Sequence, residues 1–248
     1  MKTVGARDSA FLAEMGVTQW TLRRDVPAPP AAQDPAVAAA DAAPVAGAEP
    51  DIATMDWPAL RAAIAGCERC GACARPVYGA GAGASPGSTA AAWVVAAGAT
   101  SGADEEAGLP VAGEAGKLLD NMLAAAGHAR ARDVYVTNLV KCRPASANGG
   151  DRAPSADEVA ACRPFLEREL ALTGAGVLLT LGQVATNAML GKPLQEPLAG
   201  ARGQVHAVGA AALVATLHPA ELLQRGADKA LAWADLCRAM AAGADGVA

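Results

Sequence analysis

The sequence predicts an α/β domain: a mostly parallel, four-stranded central sheet with helices on both faces. Three observations predict it. Four short apolar runs, at 91–97, 133–138, 176–182 and 211–217, have the length and the Val, Leu and Ala content of buried strands. Amphipathic stretches fall between them, and strands alternating with helices imply a parallel sheet. Gly98, Asn138 and His218 stand at or beside the C-terminal ends of three runs. Open α/β sheets bind their ligands at that end.

Taken in order, residues 8–22 form a short amphipathic segment. Asp8 or Ser9 caps it, Phe11, Leu12 and Met15 share its apolar face, and Gly16 stops it. Such a piece docks on its own domain or on a protein partner. Residues 26–50 are nearly all Ala, Pro, Val, Asp and Gly; they have little to bury and read as a disordered linker. The expected division is an N-terminal helical extension (1–25), a linker (26–50) and a folded domain (51–248).

Within that domain, Trp57, Leu60 and Ile64 space a helix over 55–65, and residues 79–89 read as a flexible Gly/Ala/Ser/Pro loop. The first strand ends in a tight loop, Gly98–Gly102. Leu118, Leu119, Met122 and Leu123 mark a helix over 117–126. Ser155 caps the next helix, which runs to about Leu172 with Asp157 and Glu158 in its first turn. Residues 183–190 form another helix. Residues 227–242 close the chain as a helix, with Cys237 on its apolar side.

Composition narrows the function class. A net charge of −5 over 248 residues argues against a nucleic-acid coat protein. It leaves room for a DNA enzyme, which needs only a local basic groove. Lys141, Arg143, Arg152 and Arg202 lie near the candidate motifs and could line one; scattered solvated charge is the plainer alternative. No apolar run reaches the roughly 18 residues of a membrane span, and no apolar h-region follows the N-terminus. The expected location is cytoplasmic, with no membrane partner.

In a reducing compartment clustered cysteines favour metal over disulfides. Cys67 and Cys70 form a Cys-x2-Cys pair some way before Cys142 and Cys162. Four thiolates of this kind can hold an iron–sulfur cluster or a zinc ion, and spacing alone does not separate the two. Cys73 extends the first pair and could replace one member.

Several blocks in order resemble one family: Gly98-x3-Gly102-x2-Glu105-Glu106-x-Gly108-x-Pro110-Val111-x-Gly113, Val136-Thr-Asn-Leu-Val-Lys-Cys-Arg-Pro144, Cys162-Arg-Pro, Leu181-Gly-x2-Ala185, Arg202-Gly203 and His218-Pro-Ala-x-Leu-Leu223. Together with the cysteines they look like the family 4 (iron–sulfur) uracil-DNA glycosylases, over roughly residues 64–240. The resemblance implies a three-layer α/β/α fold and a 4Fe–4S cluster in preference to zinc on Cys67, Cys70, Cys142 and Cys162; the expected state is a monomer. It also implies uracil-containing DNA as substrate, in base excision repair, with the uracil base flipped out of the stack.

The same resemblance gives roles. Asn138 matches the Asn that reads uracil's Watson–Crick edge, and His218 the His that donates to the departing base. Backbone N–H groups of Gly98–Gly102 would frame the sugar and its phosphate. The segment from Pro219 to Arg225 would enter the DNA, with Leu222 or Leu223 as an apolar wedge. Two positions depart. The family motif opens Gly-Glu-Ala-Pro-Gly, and here Ala99 stands where the Glu is expected. Val111 stands where a Phe stacks on the base, a contact worth ~1–3 kcal/mol. Glu105 holds the motif's second acidic position and could compensate. The departures keep a second class open: an iron–sulfur DNA-binding or damage-sensing module with little catalysis.

Overall fold

The computed structural model describes residues 51–72, 75–85, 88 and 90–245. The N-terminal segment, the Ala/Pro-rich stretch and Cys73 lie outside the described residues. Among those described, no helix is long and apolar enough to cross a membrane.

The element order is α1 (Trp57–Ala65), β1 (Ala80–Gly81), β2 (Trp93–Ala99), α2 (Gly102–Ala107), α3 (Gly113–Ala125), β3 (Val134–Val140), α4 (Ala156–Thr173), β4 (Val177–Leu181), α5 (Gln183–Leu190), β5 (Val205–Val208), β6 (Ala211–Thr216), α6 (Pro219–Gln224) and α7 (Lys229–Asp245). The sheet runs β1-β3-β2-β4-β6-β5. Its four inner strands are parallel, as expected. The short edge strands β1 and β5 are antiparallel additions that the four-stranded expectation omits.

Side chains alternate across the inner strands and split the core in two. Val94, Ala96, Tyr135, Leu139, Leu178 and Leu213 pack with Leu60, Ile64, Phe165 and Leu166 of α1 and α4. Trp93, Val95, Val136, Leu179 and Val214 pack with Leu119, Leu123, Leu236 and Ala239 of α3 and α7. Each fully buried Leu or Phe contributes about 1.5–3 kcal/mol. Strands covered on both faces read as continuous apolar runs, which is why the four parallel strands were visible and the half-exposed β5 was not.

Three boundaries move in ways that matter for the site. The first strand runs through Gly98 to Ala99 and the second through Asn138 to Val140, so these residues are inside strands. A Cβ on Gly98 would stand 3.1 Å from Val184 of α5, close enough that the helix would have to give by a few tenths of an ångström. The loop after β2 gives way at once to α2, capped by a reciprocal Ser101–Asp104 box. The segment after His218 is helix α6, with Pro219 in its first turn.

The loop expected at 79–89 begins with strand β1. A Cβ on Gly81 would sit 2.1 Å from the Val134 carbonyl, so only glycine fits there (φ 123°). Cys237, expected in the core, is exposed on α7. Residues 235 and 239 of that helix face inward instead.

Candidate active site

The register of the inner strands sets the site. Ala97 pairs with Asn138, Ala99 with Val140, and Leu181 with Thr216, so the C-terminal ends of β2, β3, β4 and β6 finish nearly level. Above them lies a cavity of about 390 Å³, lined by Ala99, Ser101, Asp104, Val111, His218 and Leu223 among others.

His218 is the N-cap of α6. Its Nδ1 accepts the Ala220 N–H at 3.2 Å, so the neutral ring carries its proton on Nε2. Burial lowers the imidazole below its usual pKa, against a smaller upward pull from Asp104. The residue is therefore neutral at pH 7, with one N–H to give.

Asn138 is fully buried and stands behind the cavity, not among its lining residues. Its Nδ2 donates to Thr100 Oγ1 at 3.1 Å and to Asp104 Oδ2 at 2.9 Å. The Thr100 hydroxyl gives its own proton to the carbonyls of Val140 and Lys141. Both groups facing Nδ2 are thus acceptors, which fixes the amide's orientation. Oδ1 is left buried with no hydrogen-bond partner among the described residues. Such an orphaned acceptor costs about 1–3 kcal/mol until a partner reaches it.

Asp104 is the residue that the sequence reading missed. It is buried, lines the cavity, and takes hydrogen bonds from Ser101 N at 3.2 Å, Ala112 N at 2.7 Å and Asn138. The signal was present: Ser101-x-x-Asp104 before Glu105 is a helix-capping pattern, and a capping acid at a strand end is placed beside the ligand site. Glu105, the acid expected to compensate for Ala99, is not among the cavity's lining residues. It pairs instead with Arg75 at 3.3 Å and Arg143 at 3.7 Å.

Val111 is buried on the cavity wall at φ 49°, in a region where a β-branched residue is strained. Arg130 holds the turn by donating to the carbonyls of Pro110 at 2.8 Å and Val111 at 2.9 Å. Gly116 gives the Val111 carbonyl room, since a Cβ there would stand 2.3 Å away.

The expected DNA-facing set divides. Lys141 is buried and cannot reach a phosphate. Its Nζ lies 2.6 Å from Glu169 of α4 and donates to Thr137 Oγ1 and the Asn138 carbonyl, both at 2.7 Å. It staples the strand that presents Asn138 to the helix behind it. Leu222 is buried too, which removes it as a wedge; Leu223 is about half exposed at the cavity mouth. Arg225 is exposed at the end of α6.

Arg143 sits 2.5 Å from Asp151, and that hydrogen bond raises its pKa. Burial pushes the Asp151 carboxyl up, but the Gly102 N–H and Arg143 outweigh it and hold it below the usual range. Gly102 is thus spent on Asp151, and a Cβ there would also press Arg143 at 3.2 Å. Arg152 forks onto Glu158, and Arg202 holds Asp235 at 2.7 Å. Each of these three arginines is thus paired with a carboxylate of its own domain.

Cys67 and Cys162 share one apolar cluster, and Cys142 is buried just beyond β3. Cys70 is half-buried in the turn after α1. A soft, all-thiolate donor set in an apolar setting suits an iron–sulfur cluster. Among the described residues, no group of three or more His, Cys, Asp or Glu side chains that could hold a metal ion is formed.

A strand-end cavity whose wall carries a neutral histidine and a buried carboxylate, with a buried amide hydrogen-bonded behind that carboxylate, has the polar groups of an active site. The chain belongs to the uracil DNA glycosylase superfamily, whose family model matches residues 85–237. It is similar to the Type-4 uracil-DNA glycosylase of Pyrobaculum aerophilum, 32% identical over 136 residues, which are 49% of this chain and 63% of that protein. The Type-4 uracil-DNA glycosylase of Archaeoglobus fulgidus is 35% identical over 139 residues, 53% of this chain and 67% of that protein. That of Thermotoga maritima is 33% identical over 123 residues, 49% and 60%. The matched stretch thus spans about two thirds or less of the length of these relatives.

Proposed function

We propose that this protein hydrolyses the N-glycosidic bond of uracil in DNA and leaves an abasic site. The observation that carries the reading is His218, fixed as an Nε2–H donor at the wall of a cavity that also holds Asp104, whose Oδ2 accepts the Asn138 amide behind it. In that reaction the C1′–N1 bond breaks with its electron pair leaving on the base. A water oxygen bonds to C1′, and one of the water's protons ends on uracil. His218 Nε2–H donates to the carbonyl where the base's negative charge gathers, and a neutral imidazole does so without a counter-ion to displace. Asn138 Oδ1 accepts the ring N–H of the flipped base, which relieves its unsatisfied burial. Leu223 fills the gap in the stack, and Arg225 meets a neighbouring phosphate.

In this reading the protein acts as a monomer in the cytoplasm, and residues 51–248 form the catalytic domain. Cys67, Cys70, Cys142 and Cys162 would hold a 4Fe–4S cluster that is structural, tying the end of α1 to β3 and α4. The test is single-turnover cleavage of a uracil-containing oligonucleotide by anaerobically purified protein, read beside its visible absorption. The expected result is cleavage that falls at least ~100-fold in His218→Ala, from a protein with a broad cluster absorption. Uracil-DNA that is bound and never cut would instead establish the binding module.

A further inference from the structure

The geometry assigns Asp104 as the catalytic carboxylate of this cavity, the group that opposes the positive charge built on the sugar. The inference rests on the glycosidic reading above and adds a residue to it. Cleavage leaves C1′ electron-poor before water adds, so a fixed negative charge beside the sugar lowers the barrier. The cavity has three acids in its wall. Glu114 is exposed and paired with Lys117 at 2.6 Å. Asp151 is committed to Arg143 and to the Gly102 N–H. Asp104 alone is buried, at 3% exposure, which keeps its charge from being screened by water.

Its hydrogen bonds also count. A carboxylate offers about four lone-pair sites. Oδ2 takes the Ser101 N–H and the Asn138 amide, while Oδ1, among the described residues, takes only Ala112 N. One site on Oδ1 is left for a water donor. The same side chain holds the Asn138 amide and acts on the charge of His218, so it stands between the two groups that meet the base.

The altered motif builds this arrangement itself. Ser101 caps α2 with its hydroxyl on the Asp104 N–H at 3.2 Å, and Thr100 takes the other Asn138 hydrogen. Ala99 leaves its side of the cavity clear. The carboxylate absent from the strand end has been replaced by one from the first turn of the following helix.

The experiment compares wild type, Asp104→Asn, Ala99→Glu/Asp104→Asn and Glu105→Gln by single-turnover cleavage of uracil-DNA. Binding to the same strand with 2′-fluoro-deoxyuridine, which resists cleavage, is measured in parallel. Asp104→Asn should lose about 100-fold in rate, with analogue binding within about threefold if the role is electrostatic. The double variant should regain at least about tenfold, because a charge is restored with no scaffold restored. Glu105→Gln should stay near wild type.

An Asp104→Asn rate within about fivefold of wild type overturns the assignment. So does a loss of rate and binding together that Ala99→Glu cannot rescue, since Asp104 would then merely scaffold Asn138. Should Asp104→Asn not fold, wild type alone decides. It should bind DNA carrying a cationic pyrrolidine abasic mimic at least about tenfold tighter than the neutral tetrahydrofuran mimic, and equal binding overturns the assignment. Wild type that neither cleaves nor prefers uracil-DNA defeats the functional reading itself.

Discussion

At the N-terminal ends of β2 and β4, His128 stacks on Trp93 at 4.3 Å and bonds Asp133 through Nδ1 at 2.9 Å, beside a hollow of about 590 Å³. At the C-terminal ends, His218 takes the Ala220 N–H on the same ring nitrogen, beside a smaller cavity of about 390 Å³. The two ends thus hold the same residue types in opposite electrical roles. Against a carboxylate, Nδ1 of His128 must carry a proton, and the pair is spent on closing the turn over Ala129–Asp133. Against a backbone N–H, Nδ1 of His218 must be bare, which sends the proton to Nε2. The proposed active site is thus singled out by a ring N–H left free to donate, not by the size of the hollow.

The largest expected effect tests that contrast directly. His128→Ala should leave single-turnover cleavage within about twofold of wild type, where His218→Ala loses at least ~100-fold. It should lower unfolding free energy by about 1–3 kcal/mol, because Asp133 loses a partner and Trp93 a stacked ring. Denaturant titration and the cleavage assay separate the two quantities. A His128→Ala protein as slow as His218→Ala would show that the distant end takes part in catalysis.

Acid separates the two ends by sign and by pH window. Burial lowers the His218 pKa in the folded state, while the unfolded chain keeps a value near 6.5. Below about pH 6.5 the unfolded chain therefore takes a proton that the folded site refuses. Stability falls as pH drops, by at most about 1.4 kcal/mol per pH unit, until the folded value is reached. At the other end burial pushes Asp133 up, but the Ala129 N–H, His128 and Arg132 outweigh it. Asp133 then contributes stability that is full above the unfolded value near 3.8 and lost as pH falls through the lower folded value. Urea midpoints from pH 8 to 3 should show both steps, and His218→Gln should delete only the first. If the first step survives in that variant, His218 is not the group that refuses the proton.

Much of this was legible in the sequence, for physical reasons that also mark where legibility stopped. The four inner strands announce themselves because burial on both faces demands unbroken Val, Leu and Ala. Asn138 and His218 were readable because a polar residue at the end of such a run has few structural uses. The basic residues were not readable. Lys141, Arg143 and Arg152 are all simply basic in one dimension, and only the fold reveals that Lys141 pairs with buried Glu169 while the arginines pair with Asp151 and Glu158. Leu222 and Leu223 part in the same way: once Pro219 starts a helix, adjacent residues must point to different sides. Asp104 was hidden by rank, since three acids stand in a row and only the capping geometry of Ser101 selects the first.

The smallest expected effect concerns Val111, whose place in the wall has no counterpart at the distant end. Its backbone sits at φ 49°, where β-branching adds strain, so Phe is no worse suited to the backbone than Val. A Phe ring in the wall would stack on the flipped base, a contact worth ~1–3 kcal/mol on single-stranded platforms. Val already covers part of that area, so Val111→Phe should tighten binding to the 2′-fluoro-deoxyuridine strand by about tenfold, the lower end of that range. The single-turnover rate should change little, because stacking holds base and transition state alike. Weaker binding would mean that the base enters along another wall. Tighter binding would place the base against the turn that Arg130 clamps, with Asp104 and His218 on the walls beside it.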